Sequence, residues 1–138
     1  MRYILFGGLT LLFMPSCALA DYTCPGDSDM CSYLVNTGET PKVGPGGGGH
    51  TADKAEWIHA PQGKVLANAT VHTESQNGVH PKCEIESTQG GQTRKAGGFD
   101  VRVYSAYLVR AHAETGSGMT RAGQTAHMQC RFQAQVGP

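Results

Sequence analysis

The stretch from Phe99 to Val136 constrains this chain most. Phe99, Val101, Val103, Ser105, Tyr107, Val109, Ala111 and Ala113 fall on one side of an extended chain, and Asp100, Arg102, Tyr104, Ala106, Leu108, Arg110, His112 and Glu114 on the other. After Thr115-Gly116-Ser117-Gly118, a second alternation places Ala126, Met128, Cys130, Phe132, Ala134 and Val136 on one side. Thr125, His127, Gln129, Arg131, Gln133 and Gln135 take the other. A period of two over this length predicts half-buried strands. The turn between them predicts a long antiparallel hairpin with Cys130 on its buried face. No segment has a convincing helical period, and no internal repeat is visible. The expected fold is all-β: a small antiparallel β-sandwich, with a small β-barrel as the alternative.

Residues 1–20 read as a signal peptide. Met1-Arg2-Tyr3 is a short basic start, Ile4 to Met14 is apolar, and Ala18-Leu19-Ala20 is the small-x-small pattern of a cleavage site. The apolar run is shorter than the roughly 20 residues that span a bilayer. A cut before Cys17, with lipid on that cysteine, fits less well, because Met14-Pro15-Ser16 is a poor lead-in. No other stretch is apolar enough to span a membrane. Cleavage after Ala20 leaves 118 residues with ten Lys and Arg against eleven Asp and Glu, a net charge of −1. That balance gives no electrostatic case for nucleic acid or an anionic membrane as the partner.

Four cysteines remain in the mature chain. An even number in an exported domain implies two disulfides, and the expected pairs are Cys24–Cys31 and Cys83–Cys130. The first closes a polar turn. The second joins two strands that each carry their cysteine on the apolar side. Neither pair has the CxxC spacing of a redox site.

Residues 21–51 are expected as a disulfide-stapled segment and a Gly-rich linker, and residues 52–138 as the antiparallel β domain. Tyr33-Leu34-Val35 is the apolar centre of an expected edge strand. Pro41, Pro45 and Gly46-Gly47-Gly48-Gly49 mark a flexible loop. Ala55 to Ala60 reads as a short strand. Val65, Ala67, Ala69, Val71 and Thr73 share one face of the next strand, and Val79, Pro81, Cys83 and Ile85 one face of the strand after it. A three-residue loop, Gln76-Asn77-Gly78, would join these two as a hairpin with Val71 opposite Cys83. Glu86 to Gly98 reads as a loop.

Catalytic and metal motifs are not found. Gly44-Pro45-Gly46-Gly47-Gly48-Gly49-His50-Thr51 has phosphate-loop spacing, but His50 replaces the lysine and no helix follows. Its plain reading is a loop. On the expected hairpin, His112 and His127 stand six residues apart, roughly 20 Å, too far to share a metal ion. His72 would face Lys82 and His80 would face Glu74. There is no Gly-x-Ser-x-Gly elbow and no HExxH. Glu84 and Glu86 lack the second carboxylate pair of a glycosidase site. No cofactor is expected. Asn68-Ala69-Thr70 is a glycosylation sequon on an outward face.

The outer face of the expected hairpin is the candidate binding surface: Arg102 opposite Arg131, Tyr104 opposite Gln129, with His127 and Leu108 alongside. Opposed arginines repel unless an anion, a carboxylate from elsewhere or a partner lies between them. Their plain alternative is a solvated or covered face. The expected function is an exported, secreted or periplasmic, binding module for a protein or an anionic glycan outside the cytoplasm. A small exported hydrolase or metal-dependent enzyme, and a surface-assembly subunit, are the alternatives. Clustering of His, Asp and Glu in one cleft would favour the enzyme, an unpaired strand edge the assembly subunit, and a flat Arg/Tyr face the binding module.

Overall fold

A computed structural model describes residues 20–138. The expected signal peptide thus lies outside the described residues, apart from Ala20. Among the described residues, nine strands form two sheets. The first sheet has the order β1-β3-β8-β5, from β1 (Ala20–Thr23), β3 (Thr51–His59), β8 (Ala106–Glu114) and β5 (Lys82–Gln89). The second has the order β2-β9-β4-β7-β6, from β2 (Met30–Asn36), β9 (His127–Gly137), β4 (Val65–Asn77), β7 (Phe99–Tyr104) and β6 (Gln92–Ala96). Every pairing is antiparallel except β1 with β3. This is the expected β-sandwich.

The core lies between β8 and β9. Tyr107, Val109, Ala111 and Ala113 of β8 are buried against Met128, Cys130, Phe132 and Ala134 of β9. The Tyr107 and Phe132 ring centroids are 5.5 Å apart. The alternation within β9 is therefore as expected. Its partnership is not. β8 and β9 belong to opposite sheets, so they pack face to face and form no hairpin. β8 pairs with β3 and β5, and β9 with β2 and β4. The expected tight turn is a longer crossing, Thr115 to Ala126, that includes a 3-10 turn at Met119–Arg121.

The first alternation is also two strands. Ser105 breaks it: its N–H and its hydroxyl both bond to the Gln89 carbonyl, at 2.9 and 3.1 Å, and the chain passes from the second sheet to the first. Tyr104 and Tyr107 both turn inward, edge to face at 5.2 Å. Three residues apart, they cannot share a face of one unbroken strand. The expected Val71–Cys83 hairpin fails for a similar reason, because β4 and β5 lie in different sheets. Residues 86–98, expected as a loop, extend β5 to Gln89 and supply β6.

Both expected disulfides are formed. Cys83–Cys130 joins β5 of one sheet to β9 of the other, and Cys24–Cys31 ties the end of β1 to the start of β2. β2 is an edge strand, as expected. The Gly-rich segment after it is fastened at several points. Thr40 N–H bonds to Ala126 O at 2.8 Å, Val43 N–H to Gln124 O at 2.9 Å and Gly118 N–H to Gly47 O at 2.8 Å. Thr40 and Val43 are buried. Among the described residues, no helix is long and apolar enough to cross a membrane.

Candidate functional site

The Arg102/Arg131 surface is not formed. Tyr104 pairs with the fully buried Leu66, so Tyr104 and its strand-face companion Arg102 turn to the inner side of the second sheet. Arg102 lies 5.9 Å from the Tyr104 ring centroid and donates to Thr93 Oγ1 at 3.2 Å. Arg131 alternates with inward Cys130 and Phe132 and so lies on the outer side of that sheet. The two arginines therefore occupy opposite faces. Arg131 does find a carboxylate from another segment. Its Nε and Nη2 reach Glu74 Oε2 at 2.8 and 2.7 Å. Glu74 is the extra residue of a bulge between Thr73 and Ser75, and the bulge turns it toward β9. Leu108 is buried beside Trp57 in the first sheet. Only His127, Gln129 and Arg131 stay together, in a row on β9, with His127 bonded to Ser75 Oγ at 2.9 Å. His72, expected opposite Lys82, pairs instead with Arg131, and His112 stands between Asp53 and Lys82 on the neighbouring strands.

A different group of residues meets at one end of the sandwich. A cleft of about 440 Å³ is lined by His50, His80, Glu114, Thr115, Ser117 and Arg121, among others. Four segments build it. The Gly-rich segment brings His50, whose N–H donates to Thr115 Oγ1 at 2.8 Å, while Thr115 N–H bonds back to His50 O at 2.9 Å. Thr115 itself is buried. Gly47 is needed here by contact, not by phosphate chemistry. A Cβ on it would lie 2.4 Å from the Gly118 carbonyl carbon.

The β4–β5 connection brings His80. Val79 N–H bonds to Glu114 O at 2.8 Å, and a Cβ on Gly78 would meet that same carbonyl oxygen at 2.2 Å. His80 holds a φ of 51° directly before Pro81, a conformation side chains rarely adopt. Its Nδ1 is 3.5 Å from Glu114 Oε2. The end of β8 supplies Glu114, and behind it His112 spans two carboxylates: Nδ1 to Asp53 Oδ1 at 2.8 Å and Nε2 to Glu114 Oε2 at 3.4 Å. The bond to Asp53 raises the His112 pKa above its ordinary value, helped by Glu114 and opposed by burial. Asp53, His112, Glu114 and His80 thus form a run of alternating acid and imidazole that ends in the cleft.

The 3-10 turn supplies Arg121. Its guanidinium lies against Gly116, where an added Cβ would stand 3.1 Å from Nε. A second hollow, of about 380 Å³, shares Thr115, Gly116 and Arg121 with the cleft. Among the described residues Arg121 makes no ion pair and no side-chain hydrogen bond, whereas Arg110 is paired with Glu86 and Arg131 with Glu74. Also among these residues, no three His, Cys, Asp or Glu side chains are grouped to hold a metal ion.

The cleft was not readable from the sequence, because its residues come from positions 50, 80, 114–117 and 121. The available signal was a pair of Gly-rich turns, 44–49 and 115–118, which proves to mark a close backbone approach. No family model matches the chain, and no significant match is found among curated proteins or solved structures.

Proposed function

We propose that this chain is exported and acts as a binding module, taking an acidic group of an extracytoplasmic protein or anionic glycan into the cleft at the end of the sandwich. The observation that carries this reading is Arg121, an exposed cation without a carboxylate partner among the described residues, in a cleft that His50 and His80 also line. An arginine fork is suited to carboxylate and sulfate oxygens. Support for export comes from Ala18-Leu19-Ala20, with cleavage after Ala20, and from two disulfides, which persist in oxidising compartments.

Titration of the mature protein with acidic oligosaccharides and acidic peptides, followed by NMR, tests it. Shifts should centre on His50, His80, Thr115 and Arg121. Arg121→Glu should weaken binding at least about tenfold, as loss of a charge-assisted bond implies, and added salt should weaken it further. Arg131→Ala should leave it unchanged. Shifts centred on His127, Gln129 and Arg131 instead, or binding indifferent to Arg121, would overturn the assignment.

The Asp53–His112–Glu114–His80 run favours a second reading, a hydrolase with His80 as general acid or base. A nucleophile bonded to its base is the geometry such chemistry asks for. Among the described residues no hydroxyl in the cleft hydrogen-bonds a histidine side chain. Loss of hydrolysis in His80→Asn, with binding retained, would establish the enzyme reading. Two of the four sheet edges oppose the assembly reading: β5 carries Lys82, Glu84, Glu86 and a bulge, and β6 carries Arg94 and Lys95, whereas the β2 edge carries no charge.

A further inference from the structure

Among the described residues Glu56 is the one charged side chain that is buried, at 5% exposure. It lies on β3 opposite the core residue Val109, so it points between the sheets. Lys54 Nζ reaches Oε1 at 3.5 Å from a position that is itself 41% exposed. Among the described residues, Oε2 has no hydrogen-bond partner. The Glu56 carboxylate, on the opposing sheet, pushes the Tyr33 phenol of β2 up to about 12, with burial second. Tyr22 of β1 stacks on Tyr33, with ring centroids 4.0 Å apart and planes 13° from parallel, and closes the site. A buried carboxylate with an unpaired oxygen is costly, so a further cation is called for.

β1 offers one. It runs parallel to β3 with Ala20 in register with Glu56 and Asp21 with Trp57. Hydrolysis of the Ala20–Asp21 peptide bond by a signal peptidase leaves the carboxylate on Ala20 and an amine, protonated at neutral pH, on Asp21. That amine stands within one strand step, about 3.3 Å, of the position facing Glu56, across a gap of about 4.8 Å. A glutamate side chain bridges such a gap. Asp21 is placed there by its strand pairing with Trp57, with its carboxylate 3.7 Å from His59 Nε2, and β1 is fixed further along by Cys24, whose N–H bonds to His59 O at 2.8 Å. We propose that the α-ammonium of mature Asp21 pairs with Glu56, so that removal of the leader completes the docking of β1. This rests on the export reading and its cleavage point. The titratable groups around the pair are Asp21 and Tyr22 of β1, Tyr33 of β2, and Lys54 and His59 of β3.

The test compares the chain that begins at Asp21 with the same chain N-acetylated, each with and without Glu56→Gln. The α-amine should titrate about one unit or more above its ordinary range near 7.7–8.0, and should react with an acylating reagent at neutral pH about tenfold more slowly than in the reduced, unfolded chain. Glu56→Gln should restore ordinary reactivity. Acetylation should lower Tm in the Glu56 protein and leave the Glu56→Gln protein unmoved. An amine of ordinary pKa with Glu56 present, or the same Tm loss with and without Glu56, would overturn the pairing. If Glu56→Gln does not fold, the free and acetylated forms of the unaltered chain decide alone: an ordinary α-amine pKa and an unchanged Tm refute it. N-terminal sequencing of exported protein reports separately on the cleavage. A start other than Asp21 ends the maturation role, whatever the chain that begins at Asp21 shows about Glu56.

Discussion

Gly78 shows how one residue places another. It holds a φ of 104°, and a side chain there would collide with the Glu114 carbonyl and come within 2.7 Å of Ala126 Cβ. Gly78→Ala should therefore destabilise by at least about 2 kcal/mol and displace His80 from Glu114. Gly38 is the control: its φ is 70° but nothing lies within 4 Å, so Gly38→Ala should cost only about 1 kcal/mol. Urea unfolding of both variants gives the comparison. His112 makes a second prediction at this scale. Its folded pKa is raised above 6.5 by Asp53 first and Glu114 second, with Lys82 its neighbour on β5. A raised histidine pKa stabilises fully below the unfolded value and loses that contribution as pH rises through the folded value. Stability should fall with pH above about 6.5, and His112→Gln should flatten that slope. Urea midpoints measured from about pH 5 to about pH 9 check this.

Among the elements, β9 has the most to hold. It lies between β2 and β4, fills the core with Met128, Cys130, Phe132 and Ala134, and carries the disulfide to β5. The Cys83–Cys130 link closes a sequence separation of 47 and Cys24–Cys31 one of 7. By loop length the first should contribute about 4 kcal/mol and the second about 2.5 kcal/mol. Replacing Cys83 and Cys130 together by Ala should thus shift the urea midpoint more than replacing Cys24 and Cys31. An equal shift would mean that β5 stays docked through its pairing with β8 alone. The outward row on β9 matters less to stability, because the Arg131–Glu74 pair is part-exposed and such pairs are worth about 1 kcal/mol or less.

At the scale of the whole molecule, the chain repeatedly changes sheets, and the candidate cleft lies where three of these crossings meet. Thr115 to Ala126 crosses from β8 to β9, residues 78–81 cross from β4 to β5, and 37–50 run from β2 to β3. These three crossings meet at the same end and make the cleft. Backbone bonds from Val79, Thr115 and Gly118 fasten them to one another. Rigid strands thereby hold loop residues that are far apart in sequence, a common source of binding sites.

The alternation from His127 onward decided by itself that Cys130 and Phe132 face inward and Arg131 outward. Cysteine number and parity likewise pointed to both disulfides. Those are local matters, since a period of two needs only the strand itself. Partnership is not local. Nothing in the Phe99–Glu114 pattern shows that Ser105 breaks it, because a bend that carries the chain to the other sheet leaves the alternation of residue types intact. Nor does a Gly-rich turn reveal whether it closes a hairpin or crosses between sheets. The opposed arginines therefore came apart, and Glu74, raised by a bulge, became the partner of Arg131. His80, Glu114 and Arg121 came together only because three crossings end at the same place, and that follows from the packing of one sheet on the other.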